Sequence, residues 1–455
     1  MRSLKYFSVL AILLMVWGCS NVLDTEPKQS ILNNVALSTS ANVKNALVGA
    51  YDHLGGYDQY GGQFYMLPDL MAVGQEANWT GTYEQPGEIY RKNIQVDNSF
   101  VRDGWLNSYS TINVVNNVIS ALDIVNEGDR TRVEGEARFI RGITYFQLVR
   151  LFAKDYSDGD PSQNLGVPLK LQPTGVISED DNIPRNTVQE VYDQVISDLT
   201  FAKNNLPGSN VIDDNPYATS YAASAFLARV YLQMGNGFYE NARDEANNVI
   251  TNGSFALVDS VALAYNHSHE NTSEDIFATQ VTPQDGTNSL QIFYAAQDPY
   301  GGRGDIEIQQ SHLDLYESGD ERLALFYADG SNIRTGKWRN QYGNVNVIRL
   351  AEMYLIRAEA NQRLNESVGA TPTEDINTIR ERAGLDPLTG PVGLQEILDE
   401  RHIELAFEGH FLFDLKRTQG SVGGVGWDSP SLVYPIPQRE MDANPALEQN
   451  DGYLN

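Results

Sequence analysis

The strongest constraint on this chain's fold is a helix–turn–helix pattern that occurs twice. Residues 218–234 place the small side chains of Ala218, Ala222 and Ala225 on one side of a helical repeat, and Phe226, Val230 and Tyr231 on the other. Gly235-Asn236-Gly237 ends that helix, and Tyr239, Ala242, Ala246 and Val249 start another at spacings of three, four and three. So short a turn permits only an antiparallel pair, and alanines let the two backbones approach closely. The arrangement recurs at 348–364, carrying Ala351, Leu355 and Ala358, and at 373–383, carrying Ile376, Ile379 and Ala383 before Gly384 and Pro387. A lone helical pair cannot bury both faces, so the repetition predicts a mainly α scaffold of stacked, tetratricopeptide-like pairs.

Further helical periods lie at 43–54 (Val43, Leu47, Ala50, Leu54), 105–125, 133–152, 188–204 with Asn186 or Thr187 as cap, and 394–417. Residues 276–282 and 345–348 read as short strands. Two stretches, 55–93 and 283–305, keep no period and are rich in Gly, Tyr, Gln and Asn. Loops of that length in a compact chain are more often functional than idle. The first supplies Trp79 and Tyr83 as candidate ligand contacts, with Glu76 and Asn78 beside them; the second supplies Tyr294, Tyr300 and Arg303, near Asp298. An exposed ring can stack on a sugar face while amides and carboxylates bond its hydroxyls. Trp105 and Trp338 sit in periodic segments and read as structural.

The amino terminus sets the compartment. Arg2 and Lys5 precede an apolar run from Tyr6 to Trp17, followed by Gly18 and Cys19. A basic, then apolar, then small-residue order marks an export leader, too short for a stable membrane span. Val16-Trp17-Gly18-Cys19 resembles the lipobox of bacterial lipoproteins, whose cysteine carries the lipid, although Trp17 stands where a small residue is usual. Residues 1–18 are therefore read as a lipoprotein signal peptide and 19–34, with Pro27, as an extended tether. Cys19 is the only cysteine, so no intrachain disulfide can form and packing must carry stability. The chain has 32 basic and 60 acidic residues; removing Arg2 and Lys5 leaves 30 against 60, a net charge of −30. That balance opposes nucleic-acid binding and docking on anionic lipid.

Patterns for catalysis or metal binding are weak. Glu400, Glu404 and Glu408 recur by four with Arg401 beside them, which reads as ion-paired scaffold rather than a hydrolytic pair. His267-x-His269 lies in a polar loop without further obvious ligands, and DYSDGDPSQN at 155–164 lacks the bidentate Glu of a calcium loop. Gly301-Gly302-Arg303-Gly304 lacks the strand-to-helix context of a phosphate loop, and no serine stands in a nucleophile elbow. The expectation is a binding protein rather than an enzyme, with no catalytic residue, metal ligand or cofactor.

RLAEMYLIRAEANQRL (349–364), INTIRERAGL (376–385), ILDERHIELAFEGHFLFDLKR (397–417) and YPIPQREMDANPALEQNDGY (434–453) resemble, in order and spacing, the carboxy-terminal half of the SusD/RagB-like outer-membrane lipoproteins. Leu23-Asp24 and Pro27 look like that family's tether, and EARFIRGITYFQLVRLFAKDY (136–156) like its second helix. The resemblance implies a SusD-like fold: helical pairs as scaffold, with long loops and short strands forming the ligand face. It divides one compact unit into an amino-terminal region, 35–215, and a carboxy-terminal region, 216–455. It further implies a surface-exposed, lipid-anchored protein of the outer membrane of a Bacteroidetes-type bacterium. Such a protein binds an oligosaccharide, or in some members a peptide, and passes it to a SusC-like TonB-dependent transporter. A surface glycoside hydrolase and a scaffold that binds only protein are the competing readings.

Overall fold

The computed structural model describes residues 37–175, 178–209, 217–268, 270–284 and 286–453; the predicted signal peptide, Cys19, the tether and His269 lie outside them. The amino-terminal region opens with α1 (Ser40–Leu54), α2 (Gln63–Ala72), β1 (Ala77–Trp79) and α3 (Glu84–Tyr90). The long helices α4 (Ser99–Ser120), α5 (Glu127–Phe152) and α6 (Val188–Asn205) follow. The first predicted hairpin is α7 (Ser220–Met234) with α8 (Tyr239–Asn252). Then come β2 (Asp275–Thr279), α9 (Ser289–Tyr294), β3 (Ile306–Ile308), α10 (Gln310–Leu313), β4 (Phe326–Asp329), β5 (Asn332–Thr335) and β6 (Val345–Arg349). The second hairpin is α11 (Leu350–Leu364) with α12 (Pro372–Arg382), followed by α13 (Leu394–Glu404) and α14 (Phe411–Arg417). Two short strands, β7 (Ser421–Val422) and β8 (Val425–Gly426), and α15 (Gln438–Ala443) close the chain.

The helical periods translate into packing. α1 buries Val43, Leu47, Ala50 and Leu54, the four residues of its predicted stripe; each large side chain so removed from water contributes about 1.5–3 kcal/mol. Thr187, rather than Asn186, caps α6: its hydroxyl accepts from Glu190 N at 3.2 Å, and the Glu190 carboxylate accepts from Thr187 N at 2.8 Å. This reciprocal pair satisfies two backbone donors that the first turn would leave open. α5 runs through the centre, packing against α4, α6 and α7, while α8 lies between α7 and α11. One hydrophobic cluster extends from Val43 to Leu447, and a second, smaller one sits among α11, α12 and α13.

Three expectations need correction. The stretch 55–93 contains α2, β1 and α3. Every residue of α2 is buried, so no polar face exists to give the segment an amphipathic period. Likewise 283–305 holds α9, whose Leu290, Phe293 and Tyr294 are buried. The helix expected over 394–417 is two, α13 and α14, because Phe407 and Gly409 take positive φ angles of 62° and 75°. A Cβ at Gly409 would lie 2.8 Å from Tyr65 Cα, so glycine is required where the chain turns against α2.

Among the described residues the strands form four antiparallel two-stranded sheets: β1–β3, β2–β6, β4–β5 and β7–β8. The predicted strands at 276–282 and 345–348 meet as β2–β6.

Charged side chains fill the junction of α11, α12 and α13. Arg349 donates to Glu274, Glu404 and Glu408; Arg382 to Glu274 and Glu404; Arg322 to Asp320, Glu400 and Glu404; Lys337 to Glu408. Burial would raise the Glu408 carboxyl, but Arg349 and Lys337 outweigh it and hold it at about 2. The three glutamates spaced by four are therefore scaffold, as their periodicity suggests.

Candidate functional site

The two glycine-rich stretches meet through β1 and β3, where Trp79 pairs with Ile306 and Asn78 with Glu307. Thr80 N extends the ladder to Asp305 O at 2.8 Å. Beyond it the chain turns at Gly81, where a Cβ would strike the Trp79 ring at 2.5 Å. Trp79 Nε1 donates to Tyr83 O at 3.2 Å, which fixes the indole over its own loop. Its ring then lies 6.1 Å from Phe293, while Tyr83 packs near Phe100 and Phe293 at 6.2 and 6.4 Å. Tyr57 contacts the same two phenylalanines at 5.8 and 6.1 Å.

At the outer end of this five-ring cluster, Tyr83 is 43% exposed. The Arg303 guanidinium sits 4.3 Å from its ring centroid. Arg303 Nε donates to Asp305 Oδ2 at 2.6 Å and its Nη2 to Thr82 Oγ1 at 3.1 Å. A cation over an exposed ring is worth about 0.5–1 kcal/mol, enough to orient the arginine without burying it. At the other end, half-buried Tyr57 lines a cavity of about 330 Å³ together with Asp58, Gln59, Asn107, Gln280 and Asn288. The Asp58 carboxyl is pushed up to about 6 by burial and by the neighbouring Asp103, against the pull of an Asn107 hydrogen bond. Gln59 spends its amide hydrogens on His53 O and Thr111 Oγ1, leaving its buried carbonyl oxygen without a protein partner. This face therefore combines apolar ring surface with polar side chains that line the cavity.

Trp79, Tyr83 and Arg303 come together, but the other sequence candidates separate from them. Trp79 is half-buried, so part of its ring is committed to packing. Asn78 projects to the opposite side of the strand, where its Oδ1 accepts from Tyr90 OH at 3.0 Å. Tyr294 is a correction: it is 1% exposed, donates to the buried Asp69 at 3.4 Å and packs on Phe407, so it belongs to the core. Tyr300 is half-buried beside Tyr327 and Arg339 rather than in the ring cluster. Trp105 and Trp338 are buried as expected. Sequence reading missed Tyr57, although its GGYDQYGG context marks an aromatic in a tight loop. Phe100 and Phe293 carried no signal separating them from core phenylalanines.

Glu76 turns away from the rings. Its Oε2 lies 2.8 Å from both His312 Nδ1 and His402 Nε2. Burial alone would raise the Glu76 carboxyl, yet the two imidazoles bring it down to about 2; burial lowers His312 despite the carboxylate beside it. These histidines stand on α10 and α13.

Residues 21–232 match a family described as "Starch-binding associating with outer membrane", and residues 326–431 match the SusD family. The chain belongs to the SusD/RagB-like family. SusD-like protein P2 of Formosa agariphila is 27% identical to it, over 99% of this chain and 100% of the relative. The starch-binding protein SusD of Bacteroides thetaiotaomicron is 34% identical over a shorter span, 24% of this chain and 22% of that protein. A solved SusD superfamily protein from Bacteroides vulgatus superposes with a TM-score of 0.81 at 26% identity, covering 92% of this chain and 100% of its own. The mainly α scaffold expected from the helical pairs, and the SusD-like fold that the resemblance implies, are the fold observed.

Proposed function

We propose that this SusD-like protein binds an oligosaccharide at the cell surface, on the face running from Arg303 and Tyr83 to the cavity beside Tyr57. The carrying observation is the meeting of both glycine-rich segments at β1–β3, which sets Trp79, Tyr83 and Arg303 on one surface. A pyranose offers apolar C–H faces and a rim of hydroxyls. The rings suit the former, while Arg303, Thr82, Asp58 and Asn107 suit the latter. A cavity of about 330 Å³ falls at the small end of ligand sites, which span roughly 300–1,000 Å³, and fits the end of a glycan chain rather than its whole length. The starch-binding description of the matched family, and the name of the Bacteroides thetaiotaomicron relative, favour a carbohydrate over a peptide.

In this reading the protein works without catalysis. A lipid on Cys19 holds it at the outer membrane, residues 19–34 set its reach, and a SusC-like TonB-dependent transporter receives the sugar. No described helix is long and apolar enough to cross a membrane. Calorimetry of the soluble chain from Ser20 against starch-derived and other oligosaccharides tests the binding. Peptides bound in place of every sugar would move the ligand class, and product released from bound glycan would move the protein to the hydrolases. Recovery of the transporter with the lipidated chain from solubilised outer membranes tests the partnership. Cys19→Ala leaves sugar affinity unchanged and abolishes membrane retention; a variant still fractionating with the outer membrane would contradict the anchor.

A further inference from the structure

We propose that Glu76, His312 and His402 form a binding site for a divalent transition-metal ion of the zinc class. Their ligand atoms lie within 4.8 Å of one another, and this is the one such group among the described residues. Two imidazole nitrogens and one carboxylate oxygen are a zinc-type donor set; calcium and magnesium favour oxygen alone.

One tautomer of His312 leaves a place for a cation. Tyr316 OH lies 3.2 Å from Ile403 O and 3.1 Å from His312 Nε2, and when it donates to Ile403 O its oxygen accepts a hydrogen carried on Nε2. An imidazole with its hydrogen on Nε2 carries a lone pair on Nδ1, and that atom is 2.8 Å from Glu76 Oε2. In that tautomer a metal ion fits between the two acceptors; in the other, Nδ1 donates its hydrogen to Glu76 and a metal ion would displace that hydrogen. His402 presents Nε2 to the same oxygen, and its other nitrogen is buried without a partner.

The rings are also held in place. His312 is 1% exposed and packs edge-on against Tyr316, Phe326 and Phe407, while His402 lies 3.7 Å from Phe411. Tyr316 links the His312 ring to the backbone next to His402, the kind of outer hydrogen bond that orients metal-ligating histidines. Of the three, His402 borders cavities of about 890 and 460 Å³ and so forms the outer edge of the group. Because Glu76 immediately precedes β1, a bound ion would tie the Trp79 strand to α10 and α13.

The test uses the whole soluble chain from Ser20 without a histidine tag, stripped with chelator and titrated with Zn²⁺ against a chromogenic competitor. Cobalt(II) absorption reports the ligand field. The expected result is one Zn²⁺ per chain, a tetrahedral cobalt spectrum and a rise in melting temperature with zinc. His402→Ala, at the accessible edge, and Glu76→Gln should each weaken zinc at least about tenfold and erase the cobalt spectrum. No bound zinc, or binding of equal strength in both variants, would overturn the site and leave the triad sharing a proton. Oligosaccharide affinity is measured on the stripped protein, so absence of zinc leaves the proposed sugar face unaffected.

Discussion

Glu404 and Asp58 are both carboxylates among polar neighbours, and the protein treats them in opposite ways. Glu404 is fully buried between Arg322, Arg349 and Arg382, which outweigh the cost of burial and hold it far below the usual carboxylate range. Asp58 is half-buried, takes its hydrogen bonds from the neutral amides of Gln63 and Asn107, and is pushed up to about 6. The first is sealed away from any ligand. The second lies beside a cavity and a cluster of rings. Charge density in the sequence therefore marks scaffold in this protein, while sparse polar groups among aromatics mark the proposed ligand face.

The largest expected effect comes from breaking the scaffold lattice. Arg349→Ala leaves Glu274, Glu404 and Glu408 without their shared cation, and should cost about 3–5 kcal/mol in denaturant unfolding. Sugar affinity of the folded variant should stay unchanged, because the lattice does not touch the face. Tyr83→Ala should invert that pattern. Loss of an exposed ring costs about 1–2 kcal/mol of binding, roughly five- to thirtyfold in Kd by calorimetry. Stability should fall by no more than about 1 kcal/mol, the loss of the Arg303 contact.

Acid separates the regions further. Glu359 and Glu408 are held at about 2, below their unfolded value. Their stabilisation is complete above the unfolded carboxylate range and is lost as pH falls through about 2, so unfolding free energy should decline from about pH 5 downward. Asp58 titrates higher. Protonation near pH 6 removes a carboxylate acceptor, so sugar affinity should weaken below that point while the fold remains intact, and Asp58→Asn should flatten the profile. The smallest effect belongs to Tyr300→Ala: its ring lies against Tyr327 rather than the cluster, and Kd should change less than about twofold.

Periodicity made the scaffold legible and failed where burial is complete. The α1 stripe was readable because its opposite face is solvated, whereas α2 is buried all round and shows no period. The break between α13 and α14 follows from the approach of Gly409 to Tyr65, a long-range contact that local pattern does not carry. At the site, loop composition pointed to Trp79, Tyr83 and Arg303. Their union depends on three-residue strands too short to recognise and more than 200 positions apart. Glu76 reads in sequence as a sugar contact and faces His312 and His402 instead, because its partners come from segments 236 and 326 positions away. Tyr294 was indistinguishable from an exposed loop aromatic until α9 placed it in the core.

Calorimetric titration of the soluble chain and of Tyr83→Ala with an oligosaccharide panel bears most directly on the proposed face. The account predicts a sugar that binds the unaltered chain and loses at least about fivefold in the variant. Equal affinity in both proteins would contradict it and shift the search to the cavity of about 890 Å³ lined by Tyr156, Tyr239 and Phe411.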